Sequence, residues 1–185
     1  MLHGYRQKGQ SLYKRLKEIL PIESSLLIPN GPFPLPYEIQ QTQKMGYSWY
    51  FYDASQDHYL IDFKFPSELL EKLIQYLPQK FSQIHFIGFS QGGYLAPFIG
   101  TRFQETKTVI SICASPRSDL FQTQYPFKLI GFNTLRDSYI NFSKAKMRYK
   151  EFQKKLLQVE FHDFEGDHQI TDKMKQILRN QIIFS

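Results

Sequence analysis

Five short apolar runs, separated by segments with helical spacing, constrain the fold of this chain more than any other feature. The runs are rich in Ile, Leu, Val and Phe, and they lie at residues 25–28, 84–89, 108–113, 127–132 and 157–161. Runs of this length and composition are typical of strands that are buried on both faces of a parallel sheet. Because helices must cover both faces of such a sheet, the alternation predicts an α/β fold with a mostly parallel, right-handed sheet.

Four other segments have the apolar spacing of amphipathic helices. They span residues 11–20, 67–77, 143–157 and 172–183. Pro66 and Pro78 flank the second of them, and the proline-rich stretch 29–36 predicts an extended loop. Since no repeat or linker divides the 185 residues, we expect a single domain spanning residues 1–185.

Composition excludes several other classes of protein. Hydrophobic residues make up 42% of the chain and charged residues 22%, a balance typical of globular rather than disordered proteins. The single cysteine, Cys113, cannot form an internal disulfide, and no apolar stretch reaches the roughly 18 residues of a membrane span. The first residues are too polar for a signal peptide, so we expect a soluble, cytoplasmic protein.

The formal net charge of +6 raises the question of an anionic partner. The densest group of basic residues lies on the predicted helix at 143–157 and comprises Lys144, Lys146, Arg148, Lys150, Lys154 and Lys155. We interpret this group first as a solvated helix face, with a docking patch as the less favoured alternative. The sequence contains no recognised nucleic-acid-binding module, so nucleic acid is not an expected partner.

Residues 88–93, with the sequence Gly-Phe-Ser-Gln-Gly-Gly, form a G-x-S-x-G motif between an apolar run and a helix-compatible segment. In this strand–turn–helix context the motif presents its serine as a nucleophile. Gly88 and Gly92 let strand and helix approach closely, and the helix N-terminus favours developing negative charge. A phosphate-binding loop is the rival interpretation, but the sequence lacks G-x-G-x-x-G and Gly-Lys-Ser/Thr patterns here. We therefore predict that Ser90 is a nucleophile.

A serine nucleophile needs a base and an acid, and in this fold they follow it in the order acid, then histidine. His168 lies in a glycine-containing loop after the last predicted strand, from which it can reach the nucleophile, and His162 is the fallback. Asp137 follows the run at 127–132, and this position favours it as the acid over Asp119.

With these residues in place, the sequence resembles the phospholipase/carboxylesterase branch of the α/β-hydrolases. It is similar both to acyl-protein thioesterases and to the family of small serine hydrolases. The motif at 88–93 carries the strongest resemblance, its glutamine included. The other matching segments are 2–7 (L-H-G-x-x-Q), 29–32 (P-N-x-P), 46–50 (G-x-x-W-F/Y), 165–168 (the G-x-H loop) and 133–137, where Asn-Thr replaces the His-Gly of H-G-x-x-D.

This resemblance implies hydrolysis of a small-molecule ester or thioester through an acyl-enzyme, with no metal or organic cofactor. Ser90 would attack the carbonyl carbon, His168 would accept its proton and later return it, and Asp137 would orient the imidazolium. The backbone N–H groups of Tyr5 and Gln91 would hold the oxyanion.

The resemblance also implies a three-layer α/β-hydrolase fold, in a minimal version that lacks most of the first strand. Of the strand that leads into the L-H-G loop in the family, only Met1 and Leu2 remain here, so that loop is expected to be weakly anchored.

Aromatic residues make up 16% of the chain and suggest an acyl pocket. Phe33, on the proline-rich stretch, and Trp49 are predicted to line an apolar pocket for a short acyl or aromatic ester. With little length for a lid, the site is expected to be open and to favour small substrates. The alternative function is a catalytically impaired hydrolase fold that only binds ligands, suggested by the altered acid loop and the short first strand. The oligomeric state does not follow from the sequence.

Overall fold

A four-stranded parallel sheet is the centre of the fold in the computed structural model, which describes residues 1–121 and 125–183. The strands are β1 (Phe33–Ile39), β2 (Thr42–Ser48), β3 (Phe51–Asp53), β4 (His58–Ile61), β5 (Ile84–Phe89), β6 (Thr106–Ile112), β7 (Tyr125–Thr134) and β8 (Leu156–Phe164). The α-helices are α1 (Gly9–Leu16), α2 (Lys64–Gln75), α3 (Gln91–Gly100), α4 (Phe142–Phe152) and α5 (Asp172–Ile183). Short 3₁₀ turns cover Lys17–Ile19 and Ser118–Leu120.

The central sheet has the order β5-β6-β7-β8, and each pair of neighbours is parallel. Strands β1 and β2 form one separate antiparallel pair, and β3 and β4 form another. All four central strands overlap predicted apolar runs, although β6 begins two residues earlier than its run and β7 and β8 extend beyond theirs at both ends. The predicted α/β fold with a mostly parallel sheet is therefore confirmed.

Helices cover both faces of the sheet, because successive strand residues enter opposite apolar clusters. Phe86, Val109 and Leu129 pack in one cluster with residues of α2, α3 and α4. Their immediate neighbours, Ile87, Ile110 and Ile130, pack in the other with residues of α1 and α5. The result is the three-layer arrangement that the resemblance implied. No helix among residues 1–121 and 125–183 has both the length and the apolar character needed to cross a bilayer.

The first residues of the chain lie along the outer edge of β5. Leu2 forms a parallel bridge with Gly88, in which the Leu2 N–H donates to Ile87 O at 2.8 Å and the Phe89 N–H donates to Leu2 O at 3.0 Å. The Gly92 N–H then donates to His3 O at 3.1 Å. The expectation of a weakly anchored loop is therefore wrong, since backbone hydrogen bonds hold it directly against the end of β5.

Two local predictions near the N-terminus are also wrong. Residues 25–28 are not a strand: Leu26 is exposed, and no strand of the described residues pairs with the segment. The proline-rich stretch is partly strand, because β1 begins at Phe33 and pairs with β2. Pro34 and Pro36 lie two residues apart, so both can turn their nitrogens away from β2 towards an edge that pairs with no other described strand.

The second helix begins earlier than its prolines suggested. It starts at Lys64 rather than Ser67, so Pro66 lies inside the first turn instead of before it. A proline is tolerated there because the first N–H groups of a helix have no acceptor within it. The Asp62 carboxylate accepts from the Lys64 N–H at 2.9 Å and supplies one of the missing partners.

Candidate active site

The turn between β5 and α3 presents Ser90 at the carboxyl end of the sheet. Ser90 has φ 52° and ψ −119°, a left-handed conformation that is rare for a residue with a side chain. A β-carbon at Gly88 would collide with the carbonyl of Gly92, and one at Gly92 would collide with the carbonyl of Leu2. Both glycines are therefore required by close backbone approach, as the motif predicted.

Ser90, His168 and Asp137 form a continuous chain of hydrogen bonds. The distance from Ser90 Oγ to His168 Nε2 is 2.8 Å, and His168 Nδ1 lies 2.8 and 2.9 Å from the two carboxylate oxygens of Asp137. Because a carboxylate only accepts, Nδ1 carries a proton and donates it, and Nε2 accepts from the Ser90 hydroxyl. The Asp137 side chain is 1% exposed and that of His168 14%, so the arrangement can pass a proton from Ser90 to the imidazole away from bulk water.

The loops that carry Asp137 and His168 are joined to each other. The Asp167 carboxylate accepts from the N–H of Ser138 at 2.8 Å and from that of His168 at 2.7 Å. The Arg136 N–H donates to Gly166 O at 3.1 Å, and Gly166 has φ 132°, a conformation that favours glycine. The Asn-Thr replacement in the acid loop thus leaves Asp137 in contact with His168.

His3 fixes the N-terminal loop beside the nucleophile. The Gly31 N–H donates to His3 Nε2 at 2.8 Å, so Nε2 is unprotonated and Nδ1 donates to Gly4 O, also at 2.8 Å. The Trp49 indole N–H donates to His3 O at 2.8 Å. Burial lowers the pKa of His3 from 6.5 to about 4.

Acid should weaken this anchor. Since the pKa of His3 is lower in the folded chain than in the unfolded one, protons favour the unfolded state, and stability present above pH 6.5 is lost as the pH falls towards 4. Between about pH 7 and pH 4.5 we expect the free energy of unfolding to fall by about 2 kcal/mol through this group. Urea titrations of the wild type and His3→Gln at both pH values measure it, because the difference between the two proteins cancels the other titrations. A constant difference at both pH values would contradict the expectation.

The side chain of Gln91 joins the nucleophile turn to the segment that follows β2. Its Oε1 accepts from the Trp49 N–H at 3.0 Å, and its Nε2 donates to Tyr50 O at 2.7 Å and to Ser48 Oγ at 2.9 Å. Gln91 is only 9% exposed, so these contacts lie almost entirely within the fold. The sequence motif pointed to the backbone N–H of Gln91, whereas this role of the side chain could be found only from the tertiary structure.

Replacing Gln91 with alanine should destabilise the protein strongly. The change leaves the buried Trp49 N–H without an acceptor, whereas Tyr50 O keeps the Ser48 hydroxyl as a donor. One buried donor without a partner predicts a loss of about 1–3 kcal/mol in the free energy of unfolding. Urea denaturation measures the loss. Gln75→Ala, on the exposed face of α2, is the matched control and should change stability by less than about 0.5 kcal/mol. Equal stability of the two variants would show that the Gln91 contacts contribute little.

A cavity of about 850 Å³ opens at Ser90. Tyr5 and Gln91, whose N–H groups were predicted to hold the oxyanion, both line it. The aromatic residues around it are mainly tyrosines, namely Tyr5, Tyr50, Tyr52, Tyr59, Tyr94 and Tyr139. The composition of the chain is rich in tyrosine but contains no signal that would select these six.

The structure does not bring the two predicted pocket residues to this cavity. Trp49 is 0% exposed, with its indole held by His3 O, and Phe33 packs against Phe51 and Phe65. Neither lines the cavity. The fallback His162 stacks on Phe132 and lies 3.3 Å from Glu160, on β8, and Asp119 pairs with Arg117 instead of with a histidine.

Cys113 lies beside the hydrogen-bonded chain. The Cys113 sulfur, a carboxylate oxygen of Asp137 and a ring nitrogen of His168 all lie within 4.8 Å of one another. In the described part of the chain, this is the one group of three side chains close enough together to bind a metal ion. Burial raises the pKa of the Cys113 thiol to about 12, so the thiol is protonated and a poor ligand at neutral pH. Asp137 and His168 are, in addition, already bonded to each other.

Several solved structures share this architecture over nearly the whole chain. SOBER1 of Arabidopsis thaliana superposes with a TM-score of 0.73 at 17% identity, over 98% of this chain and 94% of that one. The carboxylesterase of Bacillus cereus gives 0.75 at 15% identity, over 98% and 84% of the two chains. Acyl-protein thioesterase 2 of Zea mays gives 0.72 at 12% identity, over 98% and 90%. At these identities the likeness shows an α/β-hydrolase fold.

Comparison by sequence defines the family. No curated protein sequence matches the chain significantly. The family model described as serine hydrolase (FSH1) matches residues 1–178, nearly the whole chain, and includes the nucleophile turn and both loops that meet it. The chain therefore belongs to the serine hydrolase (FSH1) family.

Proposed function

We propose that the protein hydrolyses carboxylic esters or thioesters through an acyl-enzyme formed on Ser90. The observation that carries this proposal is the 2.8 Å contact between Ser90 Oγ and His168 Nε2, backed by Asp137 on the other ring nitrogen. Membership of a serine hydrolase family supports the same class of reaction. Asp137 meets His168 despite the altered acid loop, so no observation favours a fold that only binds ligands.

In the first half of the reaction, Ser90 Oγ attacks the carbonyl carbon while His168 Nε2 takes the hydroxyl proton. Asp137 accepts from Nδ1 and stabilises the imidazolium that forms. The backbone N–H groups of Tyr5 and Gln91 hold the oxyanion, and each such donor typically contributes about 3 kcal/mol to lowering the barrier. The tetrahedral intermediate collapses, and the alcohol or thiol leaves with the proton from Nε2.

In the second half, a water molecule replaces the alcohol. His168 Nε2 takes a proton from the water as its oxygen attacks the acyl carbon, and the same N–H groups hold the second oxyanion. Collapse breaks the bond to Ser90 Oγ, which recovers its proton from Nε2, and the carboxylic acid is released. Every step uses side chains and backbone groups of this chain.

Small, short-acyl substrates fit the walls of the cavity. Tyrosine hydroxyls and charged groups line it alongside aromatic carbon, in contrast to the mostly apolar lining that a long acyl chain would require. We expect 4-nitrophenyl acetate and butyrate to be hydrolysed with higher kcat/KM than the palmitate ester. Much faster turnover of the palmitate ester would exclude this substrate class.

Labelling with a fluorophosphonate probe tests the proposed nucleophile directly. The probe forms a covalent bond with an activated serine, and peptide mapping is expected to find it on Ser90. Heat-denatured protein is the control, since an unfolded chain cannot activate the hydroxyl. Absence of label on folded protein would rule out the esterase.

A further inference from the structure

Helix α4 brings two cations into the cavity that opens at Ser90. Lys144 and Arg148 lie one helical turn apart, and both line the cavity, together with Arg117 from the segment after β6. Lys144 and Arg148 belong to the group of basic residues that, from the sequence, we expected to form a solvated face of this helix. The remaining members of that group do not line the cavity.

Neither Lys144 nor Arg148 is in direct contact with a carboxylate of the described residues. The cavity also contains two carboxylates, Asp57 and Asp119. Asp119 forms an ion pair with Arg117, which donates to it from Nε at 2.8 Å and from Nη2 at 2.6 Å. Asp57 accepts from the Tyr52 hydroxyl. Lys144 and Arg148 form no ion pair within the part of the chain that the structure describes.

The electrostatic effect of the cations extends across the cavity. The pKa of Asp57 is lowered first by its hydrogen bond from Tyr52 and then by the charges of Arg117, Lys144 and Arg148. An anionic group that enters the cavity would experience the same attraction.

Arg148 is positioned to bind a ligand. One guanidinium nitrogen, Nη1, donates to Ser115 O at 3.0 Å, which fixes the side chain in a half-buried position. The guanidinium has five N–H donors in a planar fork, and one bond to a carbonyl leaves most of them for an acceptor. Such a fork matches the two oxygens of a carboxylate.

We propose that Arg148 and Lys144 form a subsite for a negatively charged oxygen group of the substrate. The preferred substrate is then a small ester that carries a carboxylate or a similar anion in addition to the bond that is cleaved. This inference rests on the proposed ester hydrolysis and specifies its substrate class.

Two pairs of esters test the subsite. In each pair, one ester carries an additional carboxylate and the other carries an uncharged amide in its place. In the first pair the charge is on the acyl half: ethyl 4-carboxybutanoate and ethyl 4-carbamoylbutanoate. In the second it is on the alcohol half: 2-carboxyethyl butanoate and 2-carbamoylethyl butanoate. In one pair we expect kcat/KM for the carboxylate to exceed that for the amide by about tenfold or more, the size of a charge-assisted hydrogen bond. The pair that shows it identifies the half of the substrate that faces α4.

The double variant K144Q/R148Q should remove this preference, so that the ratio of kcat/KM between the carboxylate-bearing and the amide-bearing ester falls towards one. K146Q/K150Q, at two exposed positions on the same helix, removes the same two charges and should keep the preference. Lys144→Gln alone alters only an exposed side chain and should lose part of the preference for the carboxylate. This loss can be measured even if the double variant is unstable. Fluorophosphonate labelling of Ser90 in each variant confirms that it is folded.

If both amide-bearing esters are cleaved at their ester bonds as fast as the carboxylate-bearing esters, the subsite is overturned while the proposed esterase activity stands. A preference that survives in K144Q/R148Q would also overturn it, because the charge would then be recognised elsewhere. Failure to hydrolyse all four esters, with no label on Ser90, would instead overturn the proposed function and this inference with it.

Discussion

Replacing Ser90 with alanine is expected to lower kcat for 4-nitrophenyl butyrate by roughly 10⁵- to 10⁶-fold. The change removes the atom on which we propose that the acyl-enzyme forms, whereas Tyr5, Gln91 and His168 remain and would assist only the slow direct attack of water. Alanine has a β-carbon as serine does, so the left-handed backbone at this position is no more strained than before, and stability should change little.

Ser11→Ala, on the exposed face of α1, is the matched control and should leave kcat unchanged. The two variants should also differ in fluorophosphonate labelling, which Ser90→Ala should lose and Ser11→Ala should keep. Hydrolysis by Ser90→Ala at the wild-type rate would place the nucleophile on another residue.

The central sheet was predictable because its strands are buried on both faces and therefore consist of apolar residues. The run at 84–89 coincides with β5 in full. The same signal failed at residues 25–28, where an apolar run lies at the surface without a partner strand. A different expectation, that a proline-rich stretch forms a loop, failed at Pro34 and Pro36. These prolines lie in a two-stranded ribbon, which has free edges that a central strand lacks. The central strands are buried on both faces, and the segments where prediction failed are not. The local sequence does not reveal this difference.

The three polar residues of the site were predictable for a different reason. The turn at Ser90 has a steric signature in its glycines, and the order of the chain then restricts where a base and an acid can stand. The walls of the cavity have no such signature. Trp49 was expected there and instead holds the N-terminal loop, while Arg148 was expected on a solvated face and instead enters the cavity. Which face of a helix or loop meets the site depends on packing over the whole chain.

Asp137→Asn should lower kcat by about 10⁴-fold while changing stability little. In the structure, Asp137 Oδ1 accepts from the N–H groups of Tyr139 and Ile140 at 2.9 Å each. These two donors would hold the amide oxygen of an asparagine at the Oδ1 position, so its NH₂ group would take the place of Oδ2, 2.8 Å from His168 Nδ1. An NH₂ group donates and cannot accept. The uncharged amide oxygen, 2.9 Å from Nδ1 and already accepting two backbone N–H groups, would be the only acceptor left for the imidazole proton. Asparagine would therefore favour the tautomer with the proton on Nε2, which cannot accept from Ser90, and it would no longer stabilise an imidazolium.

The expected effect is specific to Asp137, because it depends on the contact with His168 Nδ1 and not on the loss of a negative charge alone. Asp163→Asn, an exposed position on β8, removes the same charge at a site that touches neither the histidine nor the nucleophile, and kcat should stay within about twofold. The rate of fluorophosphonate labelling should fall with kcat in Asp137→Asn, because both reactions require Nε2 to take the Ser90 proton. If both rates instead stayed within tenfold of the wild type, Asp137 would only shape its loop, and His168 would not need a carboxylate to act as the base.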